Sequence, residues 1–423
     1  MLTNPRFSPS TSHALSLRPP IDQVKYHHLS DMAWQEEHFI ARPLSSAWPG
    51  TFRRPALSIS NSRLVVTSRN LVDSYTFHTP RISTQSPRIR KEASLELGGG
   101  NAKIDVITSI ASAHDQDGAE FYIGLASGII SRMSINTSGS GTLQLPTSIE
   151  STHSKDSVLA LSSKGNALLG ISQNGIATMS NAGSVETLDL KTRAWSCHLS
   201  QKHAVFGLTS KTPLIVHSIR PSGISAQATH ILDPTSQDTH SKSAVFGLCG
   251  APPSATWGSD QVIVSGWYNG SVNVHDLRAS TRRPLDLSSP SSASRLLPVL
   301  TFVEPSVDPI YCVATGGGSS NCIAAGLARH GMVVFWDIRG RRSSGWSVYA
   351  PGNDASPVYS VVLESSRLFG VTQARPFVYD FGQGVVEDTH PSFRLSRSEI
   401  RALKKQADGP GYYVTTWRHS QLT

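Results

Sequence analysis

The chain has 423 residues, of which 38% are hydrophobic and only 16% charged, with 33 Gly and 25 Pro. That balance suits short strands joined by many turns and speaks against a helical architecture, which needs Glu, Lys, Leu and Ala in quantity. The formal charge is +8, from 38 basic and 30 acidic residues. It admits an acidic partner such as RNA, a phosphoprotein or an acidic segment, or simply a soluble surface of scattered arginines.

The four cysteines, Cys197, Cys249, Cys312 and Cys322, form no Cys-x-x-Cys pair. Neither a zinc knuckle nor a redox motif is expected, and a reducing compartment, cytoplasm or nucleus, is the easier inference. No stretch approaches the roughly 18 apolar residues that span a bilayer, so no membrane partner is expected.

In chain order, residues 1–33 are expected as a disordered N-terminal segment and 34–50 as a linker. From 51 to 385 one unit recurs: an apolar strand ending in small residues, a tight turn, and a second alternating strand. Its copies start at Arg63 (RLVVTSRNLVDSYTF), Glu120 (EFYIGLASGIISRMSI), Ala167 (ALLGISQNGIATMS) and His203 (HAVFGLTSKTPLIVHSI). Three more start at Gln261 (QVIVSGWYNGSVNVHDLR), Cys322 (CIAAGLARHGMVVFWDIR) and Arg367 (RLFGVTQARPFVYDF).

The copies from Gln261 and Cys322 are the clearest. Each sets Gly after a polar residue between its strands, Asn269-Gly270 and His330-Gly331, which predicts a two-residue primed turn. Seven hairpins, spaced roughly 40–60 residues apart, match the period of four-stranded propeller blades with extra loop. A lone hairpin cannot bury both apolar faces, whereas blades stacked around an axis bury both. Segments 136–156, 221–243 and 279–295, rich in Ser, Thr, Pro and Gly, read as surface insertions. The tail 386–423 contains LSRSEIRALKKQ, helical in spacing with Ile400 and Leu403 apolar; it either docks or stays loose.

These hairpins resemble WD40 repeats. VFWDIR (Val334 to Arg339) and VNVHDLR (Val272 to Arg278) look like the Trp-Asp signature that ends the third strand of a blade, and Tyr379-Asp380 is similar. The resemblance implies an all-β, WD40-type β-propeller of about seven blades over 51–385, with a disordered N-terminus and a short C-terminal helical tail. The Gly-His element that opens typical repeats is missing, and the usual turn Asp is replaced by Asn269, His330 and Asn174.

A narrower resemblance covers Trp34 to Gly50 (WQEEHFIARPLSSAWPG), which looks like the segment following the F-box in fungal F-box/WD proteins. The last blade, SPVYSVVLESSRLFGVTQARPFVYDFG, is similar to the last repeat of such substrate receptors. It implies descent from ubiquitin-ligase receptors. The F-box itself should precede Trp34, and the 33 residues there do not show its pattern. Either the F-box is lost or the chain is truncated.

Nucleophile elbows, phosphate loops and zinc-protease helices are absent from the sequence. No catalytic residue, cofactor or metal is therefore assigned, and Asp276, Asp337, His275 and His330 are read as structural. Arg278, Arg282 and Arg283 follow one signature and Arg339, Arg341 and Arg342 the next. In a propeller both groups would leave third strands on the same face, as a candidate patch for phosphate or acidic peptide, or as a solvated loop edge. Trp195, Trp257, Trp267, Trp346 and Tyr311 fall near strand boundaries, where aromatics serve equally as interface anchors or as packing between blades. The expected function is a non-enzymatic, monomeric protein-interaction scaffold, with a cullin-based ligase receptor as its sharpest form. The alternative is an RNA-associated propeller binding through a basic face.

Overall fold

The computed structural model describes residues 18–49, 54–60, 62–79, 85–98, 105–113, 119–135, 147–149, 156–181, 183–221, 223–235, 243–253, 255–281, 293–340, 345–352, 354–407 and 409–419. Among these, the strands form seven four-stranded antiparallel blades, two of which, blades 4 and 5, are joined into one larger sheet.

The seven hairpins read from the sequence are the second and third strands of the seven blades. They are Arg63–Ser68 with Leu71–His78, Glu120–Leu125 with Ile130–Ser134, Ala167–Ser172 with Ile176–Asn181, and His203–Ser210 with Leu214–Arg220. Blades 5 to 7 follow with Val262–Trp267 and Ser271–Asp276, Cys322–Leu327 and Met332–Asp337, and Arg367–Thr372 and Pro376–Asp380. Strand alternation distributes side chains to the two flanks of each blade. Val333 enters the core shared with blade 7, whereas Val334 and Trp336 enter the core shared with blade 5. Each blade thus contributes to two hydrophobic cores, which is why the repeat is stable only as a ring.

The ring closes with strands from both ends of the chain. Ile40–Pro43, in the segment expected as a linker, is the outermost strand of blade 7, with Ile40 opposite Asp380 and Pro43 opposite Phe377. Residues 1–33 were expected without structure, but Pro20–Gln35 is a helix, α1, with Pro at its start. Its buried face is Tyr26, Ser30, Ala33 and Trp34. Only helical spacing marks that face; it contains no aliphatic run, and so the sequence does not announce it. Trp34 stacks on Phe381 with ring centroids 3.5 Å apart and donates its indole N–H to the Ser365 carbonyl at 3.1 Å. A side chain at Gly318 (φ 48) would meet this indole at 2.9 Å, so the Gly316–Gly318 loop must stay bare.

Two further expectations need correction. The segments read as insertions contain outer strands: Thr147–Ile149 in blade 2 and His230–Leu232 in blade 4, with Ser294–Leu296 pairing parallel to the latter. They are only three residues each, too short to write an alternating pattern even where Leu232 and Leu296 are buried. The turns are also longer than two residues. Three residues, Tyr268 to Gly270, join the strands of blade 5, and only Gly270 takes a positive φ of 77°. Four residues, Ala328 to Gly331, join those of blade 6, with His330 at 64° and Gly331 at 58°. Of the two alternatives open for the tail, it docks. Its helix α2, Arg397–Ala402, is capped reciprocally by Ser396 and Glu399, and Glu399 pairs with Arg375 at 3.0 Å. Leu403 is buried and Ile400 exposed. Thr416–Arg418 then adds a fifth strand to blade 6.

Candidate functional site at the channel mouth

The innermost strand of each blade lines the channel. These strands are Ala56–Ile59, Ile107–Ser112, Val158–Lys164, Ala194–Leu199, Ser243–Gly250, Ile310–Gly316 and Val358–Glu364. In six of them pairing to the second strand skips one residue at the same step: Thr108, Leu159, Trp195, Phe246, Tyr311 and Tyr359. Each skipped residue is a β-bulge, which bends the strand and re-aims one side chain.

The residue before each bulge, Ile107, Val158, Ala194, Val245, Ile310 or Val358, is at most 1% exposed. The residue after it is small: Ser109, Ala160, Ser196, Gly247, Cys312 or Ser360. The aliphatic member enters the core between blades and the small one lets the neighbouring backbone approach. The bulge also interrupts the ladder, and side chains from the adjacent blade take up carbonyls there. Ser196 Oγ donates to the Val245 carbonyl at 3.2 Å, Ser109 Oγ to that of Val158 at 3.4 Å, and Cys312 Sγ to that of Val358 at 3.3 Å.

The bulged residues are half-buried and surround a cavity of ≈ 450 Å³ at the upper mouth, the end where first strands begin. Four consecutive blades carry aromatics there. Ring centroids lie 5.0 Å apart for Trp195 and Phe246, 5.4 Å for Phe246 and Tyr311, and 6.1 Å for Tyr311 and Tyr359. Tyr268, from the second–third turn of blade 5, is 59% exposed and lies 6.2 Å from Phe246. Each end of the arc has a cation. The Arg193 guanidinium sits 4.1 Å over the Trp195 ring, and Arg54 lines the cavity beside Tyr359. Burial raises the Tyr359 phenol above its ordinary value, reinforced by Tyr311 and Asp354 and opposed by Arg54, so the hydroxyl stays a neutral donor.

The other aromatics singled out by sequence do different work. Trp267 is fully buried and bonded to Ser265 Oγ at 2.9 Å. Trp346 stacks on Phe335 in the core beneath α1. Trp257 donates to the Ser320 carbonyl at 3.0 Å, on the lower face. Of the five, only Trp195 and Tyr311 belong to the mouth. Phe246, Tyr359, Arg54 and Arg193 were not found by sequence reasoning. The signal available was the recurring triplet of aliphatic, variable and small residues that precedes the hairpins.

Arg278 and Arg339 follow the third strands of adjacent blades, on the face opposite the mouth. Each folds back on the carboxylate two residues earlier, Asp276 at 2.8 Å and Asp337 at 2.5 Å. Those charges are matched within the chain. Arg282, Arg283, Arg341 and Arg342 lie outside the described residues. His275 is buried, and its Nε2 bonds the Asp233 carbonyl at 3.0 Å. Among the described residues no group of three or more His, Cys, Asp or Glu is placed to hold a metal ion, and no helix is long and apolar enough to cross a membrane.

No protein-family model matches the sequence, and no curated protein matches it. Solved structures do. The chain is similar to the structure of U3-55K at 12% identity and a TM-score of 0.52, over 81% of this chain and 98% of that one. It is similar to the WD40 β-propeller domain of Doa1 at 13% identity and a TM-score of 0.50, over 79% and 96%. At such identity the likeness speaks to architecture alone, and with the seven blades traced above it is decisive there: the chain has the fold of a WD40-type β-propeller.

Proposed function

We propose that this protein is a non-enzymatic, monomeric scaffold of the cytoplasm or nucleus that holds a protein partner at the upper mouth of its channel. The observation that carries the reading is the repeated bulge. It turns four aromatic side chains in four adjacent blades out of the cores and into one half-exposed arc. Aromatic residues supply large contact area at low entropic cost, and here the flanking aliphatic residues already fill the cores.

The sharper form is a substrate receptor of a cullin-based ubiquitin ligase. What supports it is the resemblance of Trp34 to Gly50 to the segment following an F-box, a segment that runs from the end of α1 through the strand completing blade 7. The alternative, RNA binding through a basic face, has the net charge in its favour. Against it, Arg278 and Arg339 are each held by a carboxylate.

The test is affinity capture from native lysate by wild type, by Trp195→Ala/Tyr311→Ala, and by Arg278→Ala/Arg339→Ala, read by mass spectrometry. The reading expects a set of proteins lost with the mouth variant and kept with the lower-face variant. Recovery of a cullin and its adaptor would establish the ligase form. Unchanged capture by the mouth variant would overturn the assignment, and capture of RNA that falls steeply with salt would favour the alternative.

A further inference from the structure

The C-terminal tail concentrates positive charge. Residues 394–418 hold six cations, Arg394, Arg397, Arg401, Lys404, Lys405 and Arg418, against two carboxylates, a net +4 of the chain's formal +8. Lys405 pairs with Glu387, Arg418 with Glu37, and Glu399 is taken by Arg375. Arg394, Arg397, Arg401 and Lys404 are exposed, and no carboxylate among the described residues lies within ion-pair distance of them. They differ in this from Arg278 and Arg339, each matched by an aspartate. Arg397 and Arg401 are also four apart on α2, a like-charge spacing that destabilises a helix and that solubility alone does not require.

Two large aromatic side chains stand beside these cations. Tyr413 is 60% and Trp417 59% exposed; the other exposed aromatic among the described residues is Tyr268, at the mouth. The Tyr413 N–H donates to the Lys404 carbonyl at 2.8 Å and the Tyr412 N–H to that of Ala41 at 3.0 Å, so the backbone here is an extended strand with Lys404 opposite Tyr413. Tyr412 is buried, with the Arg42 guanidinium 5.4 Å from its ring, and Val414 packs on the core between blades 6 and 7. Alternation then turns Tyr413, Thr415 and Trp417 outward, with Tyr413 and Trp417 about 13 Å apart along the strand. Pairing of Thr416–Arg418 to blade 6 fixes the far end.

We propose that this tail surface binds single-stranded nucleic acid, with bases stacked on Tyr413 and Trp417 and phosphates on Arg394, Arg397, Arg401 and Lys404. Every base has a face to stack and every linkage carries a charge, so exposed rings beside unmatched cations suit such a strand without regard to sequence. The surface is separate from the channel mouth and does not rest on the protein-scaffold reading. An acidic peptide would satisfy the cations and leave both rings in water. An anionic membrane is disfavoured because polar Thr415 separates the rings, and the Arg418–Glu37 pair beside Trp417 would have to leave water on insertion.

Fluorescence anisotropy on the full chain tests this with labelled oligouridine, oligodeoxythymidine and an oligo-aspartate peptide, beside co-sedimentation with phosphatidylserine–phosphatidylcholine vesicles. Oligonucleotide is expected to bind with an affinity that falls steeply as salt rises, and the tighter of the two identifies the sugar. Tyr413→Ala/Trp417→Ala should weaken binding by about tenfold or more. Arg397→Glu/Arg401→Glu should weaken it by about tenfold or more and make the salt dependence shallower. Trp195→Ala/Tyr311→Ala and Arg278→Ala/Arg339→Ala should leave it unchanged. Thermal unfolding checks that each variant is folded. Failure of both oligonucleotides to bind, binding indifferent to Tyr413→Ala/Trp417→Ala, or tighter binding of the peptide or the vesicles overturns the proposal. None of these results bears on the mouth, whose partners are read by lysate capture with Trp195→Ala/Tyr311→Ala.

Discussion

Arg367 and Asp380, both fully buried, face each other across the second and third strands of blade 7 with Nε donating to Oδ2 at 2.8 Å. Ser86 from blade 1 donates to the same carboxylate at 3.1 Å, and the Tyr26 hydroxyl of α1 bonds both Ser86 and Ser366. One pair of charges thus sits where the last blade, the first blade and the N-terminal helix meet. Removing one partner would strand the other charge away from water. Asp380→Ala is expected to cost about 3–5 kcal/mol in denaturant unfolding.

The same pair sets an acid limit. Burial pushes the Asp380 carboxyl up, but the Arg367 guanidinium, His390 and the Gly382 N–H outweigh it and hold the group well below the usual carboxylate range. A carboxyl depressed on folding contributes stability above its unfolded value of about 4, and that contribution is lost as pH falls below it. The thermal midpoint should drop below about pH 4, with a shallower drop in Asp380→Asn, which no longer has the carboxylate to protonate.

His275 works over a different window. Burial pushes its imidazole down to about 4, so the folded chain keeps it neutral while the unfolded chain protonates it near 6.5. The unfolded state then binds more protons between those values, and stability falls as pH drops from about 6.5 to 4. In His275→Gln the slope of stability against pH across that window should flatten. An unchanged slope would mean that other groups carry it.

The bulges make a test of the fold independent of binding. Ser196 is buried and satisfies the Val245 carbonyl of the next blade. Ser196→Ala leaves that acceptor without its donor and is expected to cost about 1–3 kcal/mol. Trp34→Ala, which empties the space between Phe381 and the Gly317–Gly318 loop, is expected to cost about 3–5 kcal/mol. Tyr311→Ala, at the half-exposed mouth, should cost only about 1–2 kcal/mol. Reversing that order would place Tyr311 among the structural residues.

The repeat was legible because second and third strands lie deepest between neighbours. Val262, Val264, Val272 and Val274 must all be apolar to fill one core, and that requirement writes a pattern. The outer strands Thr147–Ile149 and His230–Leu232 are three residues each, too short to show a pattern even where Leu232 is buried, and so look like loop. Helix α1 escaped notice because its docking depends on Tyr26, Ser30 and Trp34, a face that reads as helix only once its partners are known. The mouth escaped for a different reason. A bulge is a change of register between two strands, so Trp195 and Phe246 look like ordinary strand residues until pairing shows each being skipped. Of the six arginines offered as a patch or a solvated loop edge, Arg278 and Arg339 each fold back on the aspartate two residues earlier, a pairing that spacing alone did not announce, and the other four lie outside the described residues.

We propose the upper mouth as the working surface of the propeller. The most direct measurement places a photo-crosslinking phenylalanine analogue at Tyr311 and, separately, at Trp257 on the lower face, and irradiates each protein in native lysate. A discrete protein adduct is expected from position 311, abolished when Trp195→Ala is added, and none from 257. An adduct from 257 with none from 311 would contradict it and move the binding surface to the opposite face.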